Sequence, residues 1–284
     1  MNSINSTLSP SPSRGARFFR FPLVRIVSAV FCVALAAGMA YALSEVVPKP
    51  ARIMWPHLLA VAAVVLAYWG FARGVEKRPL SEFALRGAGR ELAAGCVIGA
   101  GAVVTVLGLL YAGGFYHIAV LHPWSLAVTA PLAEMAFVSV FEEILCRAII
   151  FRIVEQSLGS RPALGISALL FGLAHLPGGS AGALAIVVTV VAGFAFSAAF
   201  MLTRRLWLCI GIHFAWNYTL GSIFSIAVSG RPANGLVSGT LSGPDWITGG
   251  AYGLEGSAAT LLVLGALGAA LIWRVSSKSQ ILSR

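Results

Sequence analysis

Ten acidic side chains occur in 284 residues. Two of them are adjacent, in Glu142-Glu143-Ile144-Leu145-Cys146-Arg147. At about 100° per helical residue, Glu143 and Arg147 fall one turn apart on the same face and can pair. Glu142 points elsewhere and is left without that partner. The spacing therefore separates two roles. An ion-paired Glu143 fixes the helix, while Glu142 is the carboxylate suited to general-base work. Two more polar groups follow in the chain. One is Phe171-Gly172-Leu173-Ala174-His175, and the other is His213-Phe214-Ala215-Trp216-Asn217, in which His213 and Asn217 are again four apart. A carboxylate base, a second water-binding group and donors for a developing oxyanion are the parts hydrolysis needs.

The elements that must position these groups are membrane helices. Hydrophobic residues make up 58% of the chain and charged residues 11%, against roughly 45–50% and about 25% in soluble domains. So few charges cannot cover a soluble surface, and the mean hydropathy of +0.87 agrees. The four cysteines show no paired spacing, which excludes a disulfide scaffold, and they read as small buried hydrophobes. A hydrocarbon core of about 30 Å takes ~20 helical residues to cross. Spans are predicted at 23–43, 55–72, 92–116, 125–154, 163–176, 184–202, 206–228 and 257–273. The expected fold is an all-α, polytopic membrane bundle of about eight transmembrane helices. Residues 1–22 read as a disordered tail, 23–284 as the membrane domain, and about 125–228 as its catalytic core. The first apolar run exceeds the ~7–15 residues of a signal peptide, so it is read as a retained span. Ser229 to Gly256 forms a long Gly-rich connection, expected to be ordered or re-entrant.

The net charge of +10 is explained by this topology. Sixteen of the 20 basic residues fall on one side of the eight spans. They are four before or at the start of the first span, five between the second and third, and pairs in or bordering the two later connections, with three after the last. Lys49, Arg52 and Arg231 fall on the other side, and Arg147 lies within a span. The positive-inside rule then places both termini in the cytoplasm, and no nucleic-acid partner is implied.

Charges inside spans cost about 2.5–3.5 kcal/mol each and are functional hypotheses by default. The 125–154 span carries Glu142, Glu143 and Arg147 within six residues. At ~1.5 Å per residue, Glu142, His175, His213 and Asn217 all lie about 10–20 Å from the cytoplasmic ends of their helices. They can meet in one bundle. A single buried His or Asn also serves as an ordinary interhelical link worth about 1 kcal/mol, so His175, His213 or Asn217 alone would carry little. Glu134 reads as a snorkelling group or pocket wall. His57, His117 and His122 fall near span ends, where interfacial hydration accounts for them. Gly99/Gly101 and Gly265/Gly268 read as packing contacts.

In order and spacing these clusters resemble the CPBP family of intramembrane proteases, which includes the CAAX prenyl endopeptidases and the bacteriocin-processing or Abi proteins. The family pattern E-E-x-x-x-R, F-x-x-x-H, H-x-x-x-N reads here as Glu142-Glu143…Arg147, Phe171…His175 and His213…Asn217. The resemblance implies a metal-independent glutamic endopeptidase without a cofactor, acting on a membrane-associated protein or peptide. By that analogy Glu142 with His175 activates water, His213 with Asn217 stabilises the oxyanion, and Glu143 and Arg147 support the site. Cys146 and Ala148 stand where many members have Phe and Gly. The Ala- and Gly-rich composition suggests a bacterial cytoplasmic membrane, so prenylated substrates are not carried over. Zinc is an alternative, because two His and one Glu suit an open catalytic site, but no H-E-x-x-H is present. A non-catalytic immunity or adaptor protein and a proton-coupled transporter are the other readings. The polar cluster has no counterpart in the first three spans, which disfavours transport by inverted repeats.

Overall fold

The computed structural model describes residues 21–176, 182–278 and 281–282. The predicted tail at 1–22 lies almost wholly outside the described residues. The α-helices of seven residues or more are α1 (Pro22–Ser44), α2 (Trp55–Gly74), α3 (Ala88–Ala112), α4 (Pro131–Glu143), α5 (Arg152–Leu158), α6 (Ser160–Leu173), α7 (Ala183–Thr203), α8 (Trp207–Tyr218) and α9 (Ala258–Ser277). Pro22, Pro56 and Pro131 stand in the first turns of α1, α2 and α4, where a missing N–H costs nothing. Ser257 caps α9 by accepting from the Thr260 amide at 3.1 Å. Five of these helices, α1, α2, α3, α7 and α9, are individually long and apolar enough to cross a membrane. The protein is a nearly all-helical, multi-pass membrane protein.

Two helical stretches depart from regular α geometry. Ile144–Phe151, between α4 and α5, and Thr219–Ile223, directly after α8, are wound as π-helix. The wider turns leave carbonyls for other partners. Ser167 donates to the Cys146 carbonyl at 2.9 Å, and Tyr68 to that of Ala148 at 3.1 Å.

A two-stranded antiparallel ribbon interrupts the all-α expectation. Strand β1 (Tyr116–Leu121) pairs with β2 (Val237–Leu241), Tyr116 opposite Leu241, with an irregularity between Ile118 and Val120. Helix α3 thus stops at Ala112, short of the predicted 116, and the Gly-rich connection is ordered by pairing with it. Such pairing joins segments over 110 residues apart and leaves no local periodicity to read. Among the glycines read as packing contacts, Gly99 abuts Ile212 and Gly268 abuts Phe194. Gly101 and Gly265 have open space instead.

The connections sort onto two faces. On one, Arg25 at the start of α1 donates to Glu76 after α2 (3.2 Å from Nε), and Glu76 also accepts from Arg152 of α5 at 2.7 Å. The Leu206 amide, ahead of α8, donates to the Glu82 carbonyl at 2.9 Å. Arg204 pairs with Glu155, and Arg205 with Glu91. The Ser160 amide donates to the Leu282 carbonyl at 3.0 Å, placing residues 281–282 there too. The opposite face carries the β ribbon and the connection from α8 to α9, with the His122 amide donating to the Leu236 carbonyl at 2.7 Å.

Candidate active site

The site is built where α4, α6, α7 and α8 converge. Glu143 and Arg147 have no solvent-exposed side-chain surface, and their ion pair is 3.1 Å long. Such a buried charge is tolerable only with further partners, and both residues have them. Arg147 Nη2 donates to the Gly193 carbonyl of α7 at 2.8 Å. Its guanidinium lies over the rings of Phe171 and Phe196, 4.6 and 5.1 Å from their centroids. Glu143 Oε1 also lies 2.9 Å from Nδ1 of His213. A carboxylate held by Arg147 accepts, so His213 Nδ1 donates, and the ring is oriented by that bond.

The other edge of His213 faces Glu142, with Nε2 3.7 Å from Oε2. Glu142 is 28% exposed, but its Oε2 atom is buried and has no hydrogen-bond partner among the described residues. An unpaired buried carboxylate oxygen is a group set to meet something other than protein. Phe196 stacks on the His213 ring, with centroids 5.0 Å apart. Phe171 sits edge-on to that ring at 6.0 Å and leans on His175 at 5.0 Å. His175 Nδ1 must donate to the Phe171 carbonyl 2.8 Å away, because a carbonyl can only accept. In neutral His175 this leaves Nε2 with a free lone pair. Asn217 is buried one turn beyond His213 on α8.

Glu142, His175, His213 and Asn217 all line one cavity of about 790 Å³. Glu143 and Arg147 lie behind its wall. Glu134, read from sequence as a snorkelling group or wall, is among the lining residues. Asp245 is exposed and does not line the cavity. Three contributors escape sequence reasoning. Phe196 and the Gly193 carbonyl come from an apolar helix that carries no polar signal. Glu255 lines the cavity from the Gly-rich connection, accepting from Trp216 Nε1 at 3.0 Å and from Ser229 Oγ at 3.1 Å. Its only mark in the sequence is a carboxylate in the Gly-rich connection, which carries Asp245 as well.

Helix α8 comes this close because glycines meet across its contact with α3. A Cβ at Gly211 would meet the Leu92 carbonyl and would lie 3.0 Å from the Cys96 amide nitrogen. Small residues allow that backbone approach, and so fix the height of His213 and Asn217. Among the described residues, no three His, Cys, Asp or Glu side chains are grouped to hold a metal ion.

Residues 123–219, about a third of the chain, match the family model of the type II CAAX prenyl endopeptidases, Rce1-like. The matched stretch contains all six candidate site residues, and it supports the resemblance to the CPBP family of intramembrane proteases. No curated protein and no solved structure matches the chain.

Proposed function

From the CAAX-type protease family matched by residues 123–219, we propose that this membrane protein hydrolyses a peptide bond of a membrane-associated protein or peptide. The observation that carries the reading is the convergence of Glu142, His175, His213 and Asn217 on a single cavity. Glu142, with an unpaired buried oxygen, takes a proton from the attacking water. His175, whose Nε2 is left free, helps to bind that water. The tetrahedral oxyanion is met by the Asn217 amide and by Nε2–H of His213 when that ring carries both protons. Glu143 supports the second role, because it holds His213 through Nδ1 and leaves Nε2 facing the cavity. The proton on Glu142 then passes to the leaving amine. Arg147 holds Glu143 in place through their 3.1 Å ion pair.

In this reading the mechanism is glutamic and metal-independent. It operates in a bacterial cytoplasmic membrane with both termini in the cytoplasm, a reading supported by the excess of basic residues on one side. Purified protein in liposomes, offered membrane-bound peptides, is expected to release new amino termini detectable by mass spectrometry. Activity should persist after exhaustive chelation. Peptides left intact, as in protein-free liposomes, would overturn the reading. Activity lost on chelation and restored by zinc would replace the glutamic mechanism by a metal one.

A further inference from the structure

Among the described residues, three carboxylates line the cavity: Glu134, Glu142 and Glu255. Two of them are accounted for. Glu142 is the base of the reading above, and Glu255 accepts from Trp216 Nε1 and Ser229 Oγ. The side chain of Glu134 is half-buried and, among the described residues, has no hydrogen bond or ion pair. Tyr41, which packs edge-on against Phe137 of the same helix, has its hydroxyl engaged 2.8 Å from Nδ1 of His57. Arg231 lines the cavity too, but it is exposed and forms no ion pair with Glu134. A charge placed inside a membrane helix without a partner is a functional group by default.

The cavity is elongated along α4, whose Pro131, Glu134, Val138 and Glu142 all line it. Glu134 and Glu142 are eight residues apart, about 12 Å along the helix axis at ~1.5 Å per residue. An extended peptide covers ~3.3–3.6 Å per residue, so that span holds about three or four residues. The walls between the two carboxylates are apolar, with Met135 and Val138 from α4 and Val188 and Ala192 from α7. A peptide lying along α4 with its scissile bond at Glu142 therefore brings the side chain three or four positions away beside Glu134.

We infer that Glu134 is a specificity residue, which takes a lysine or arginine side chain three or four residues from the scissile bond. The preferred substrates are then peptides with a basic residue followed by a short apolar stretch at the cut. The inference rests on the endopeptidase reading for placing the scissile bond at Glu142. A half-buried carboxylate attracts a cation more strongly than one in water does. An acidic side chain at the same position faces Glu134 as a like charge, which an interface strongly disfavours. Arg231 discriminates less, because an exposed pair is hydrated and contributes little.

The test uses the full chain in phosphatidylcholine nanodiscs, whose neutral lipid does not itself attract basic peptides. The probes are dye-labelled, amino-terminally acetylated apolar peptides that carry Lys, Ala or Glu at one position. Binding is read by fluorescence anisotropy on the Glu142→Gln protein, and cleavage by mass spectrometry on the wild type. The Lys peptide should bind about tenfold tighter than the Ala peptide, between the effects of an exposed and a buried pair. The Glu peptide should bind more weakly still. Wild type should cut the Lys peptide three or four residues from the Lys. Adding Glu134→Gln should abolish the preference for Lys, and adding Glu134→Arg should transfer it to the Glu peptide. Equal binding of the three peptides, or a preference for Lys that persists in Glu134→Gln, overturns the inference. Cuts placed without regard to the Lys overturn it while upholding the protease reading. A preference for Lys in binding that Glu134→Gln removes, with no peptide cut by wild type, counts against the protease reading and leaves the cation subsite standing.

Discussion

Nδ1 of His213 stands 2.9 Å from Oε1 of Glu143, and that same oxygen lies 3.1 Å from Nη1 of Arg147. One buried carboxylate thus joins the structural cation to a ring of the candidate site. Removing it leaves a buried charge uncompensated, at a cost of about 3–5 kcal/mol. Glu143→Ala is therefore expected to lower the thermal midpoint in detergent sharply and to reduce accumulation. Glu143→Gln should be milder in stability yet still impair cleavage, because the amide no longer neutralises Arg147. A Glu143→Ala protein that melts like wild type would show that the pair bears no structural load.

Asn217 makes a different prediction. If its amide meets the oxyanion, Asn217→Ala should lower kcat by about 10²–10³-fold. KM should change little, because the interaction exists only in the transition state. A rise in KM with kcat preserved would assign Asn217 to substrate binding instead.

The height of α8 is set by backbone contact with α3, where a Cβ on Gly211 would stand 3.0 Å from the Gly95 Cα. Gly211→Leu must push the helices apart and carry His213 with it. A displacement of about 1 Å at reacting groups can cost 10²-fold in rate. The variant should insert into the membrane and lose activity of that order. Unchanged activity would mean that the contact does not position the site.

Glu76 supplies a pH prediction away from the cavity. Burial alone would raise its carboxyl, but hydrogen bonds and charge from Arg152, with bonds from Arg25 and Arg78, outweigh it and lower the group from 4.5 to about 2. A depressed carboxyl stabilises the fold fully above its unfolded value and loses that contribution as pH falls through the folded one. Wild type should exceed Glu76→Gln in thermal midpoint by a constant margin above pH ~4.5. That margin should shrink as the pH approaches 2. A margin independent of pH over this window would contradict the linkage.

How much of this could be read beforehand depends on the range of the interaction. The pairing of Glu143 with Arg147 follows from four-residue spacing, which survives although Arg147 falls in the π segment. Five of the spans follow from apolar length, and the scarcity of charge singles out the 142–147 cluster. The bond from His213 to Glu143 crosses 70 positions and depends on how two helices are rotated against each other. No periodicity encodes that rotation. For the same reason the ribbon of β1 with β2 and the clamp of Glu255 on Trp216 and Ser229 went unread. The Phe in F-x-x-x-H was visible only as a motif letter, yet its ring lies against both the Arg147 guanidinium and His213.

The central claim is that the Glu142 carboxylate activates water for peptide hydrolysis. It is tested most directly by comparing wild type with Glu142→Ala in the same liposomes, counting new termini per unit time. Loss of a general base lowers the rate by about 10²–10⁴-fold. The account predicts a loss of that size, with the variant accumulating in the membrane and melting like wild type. Cleavage by Glu142→Ala at the wild-type rate would contradict it.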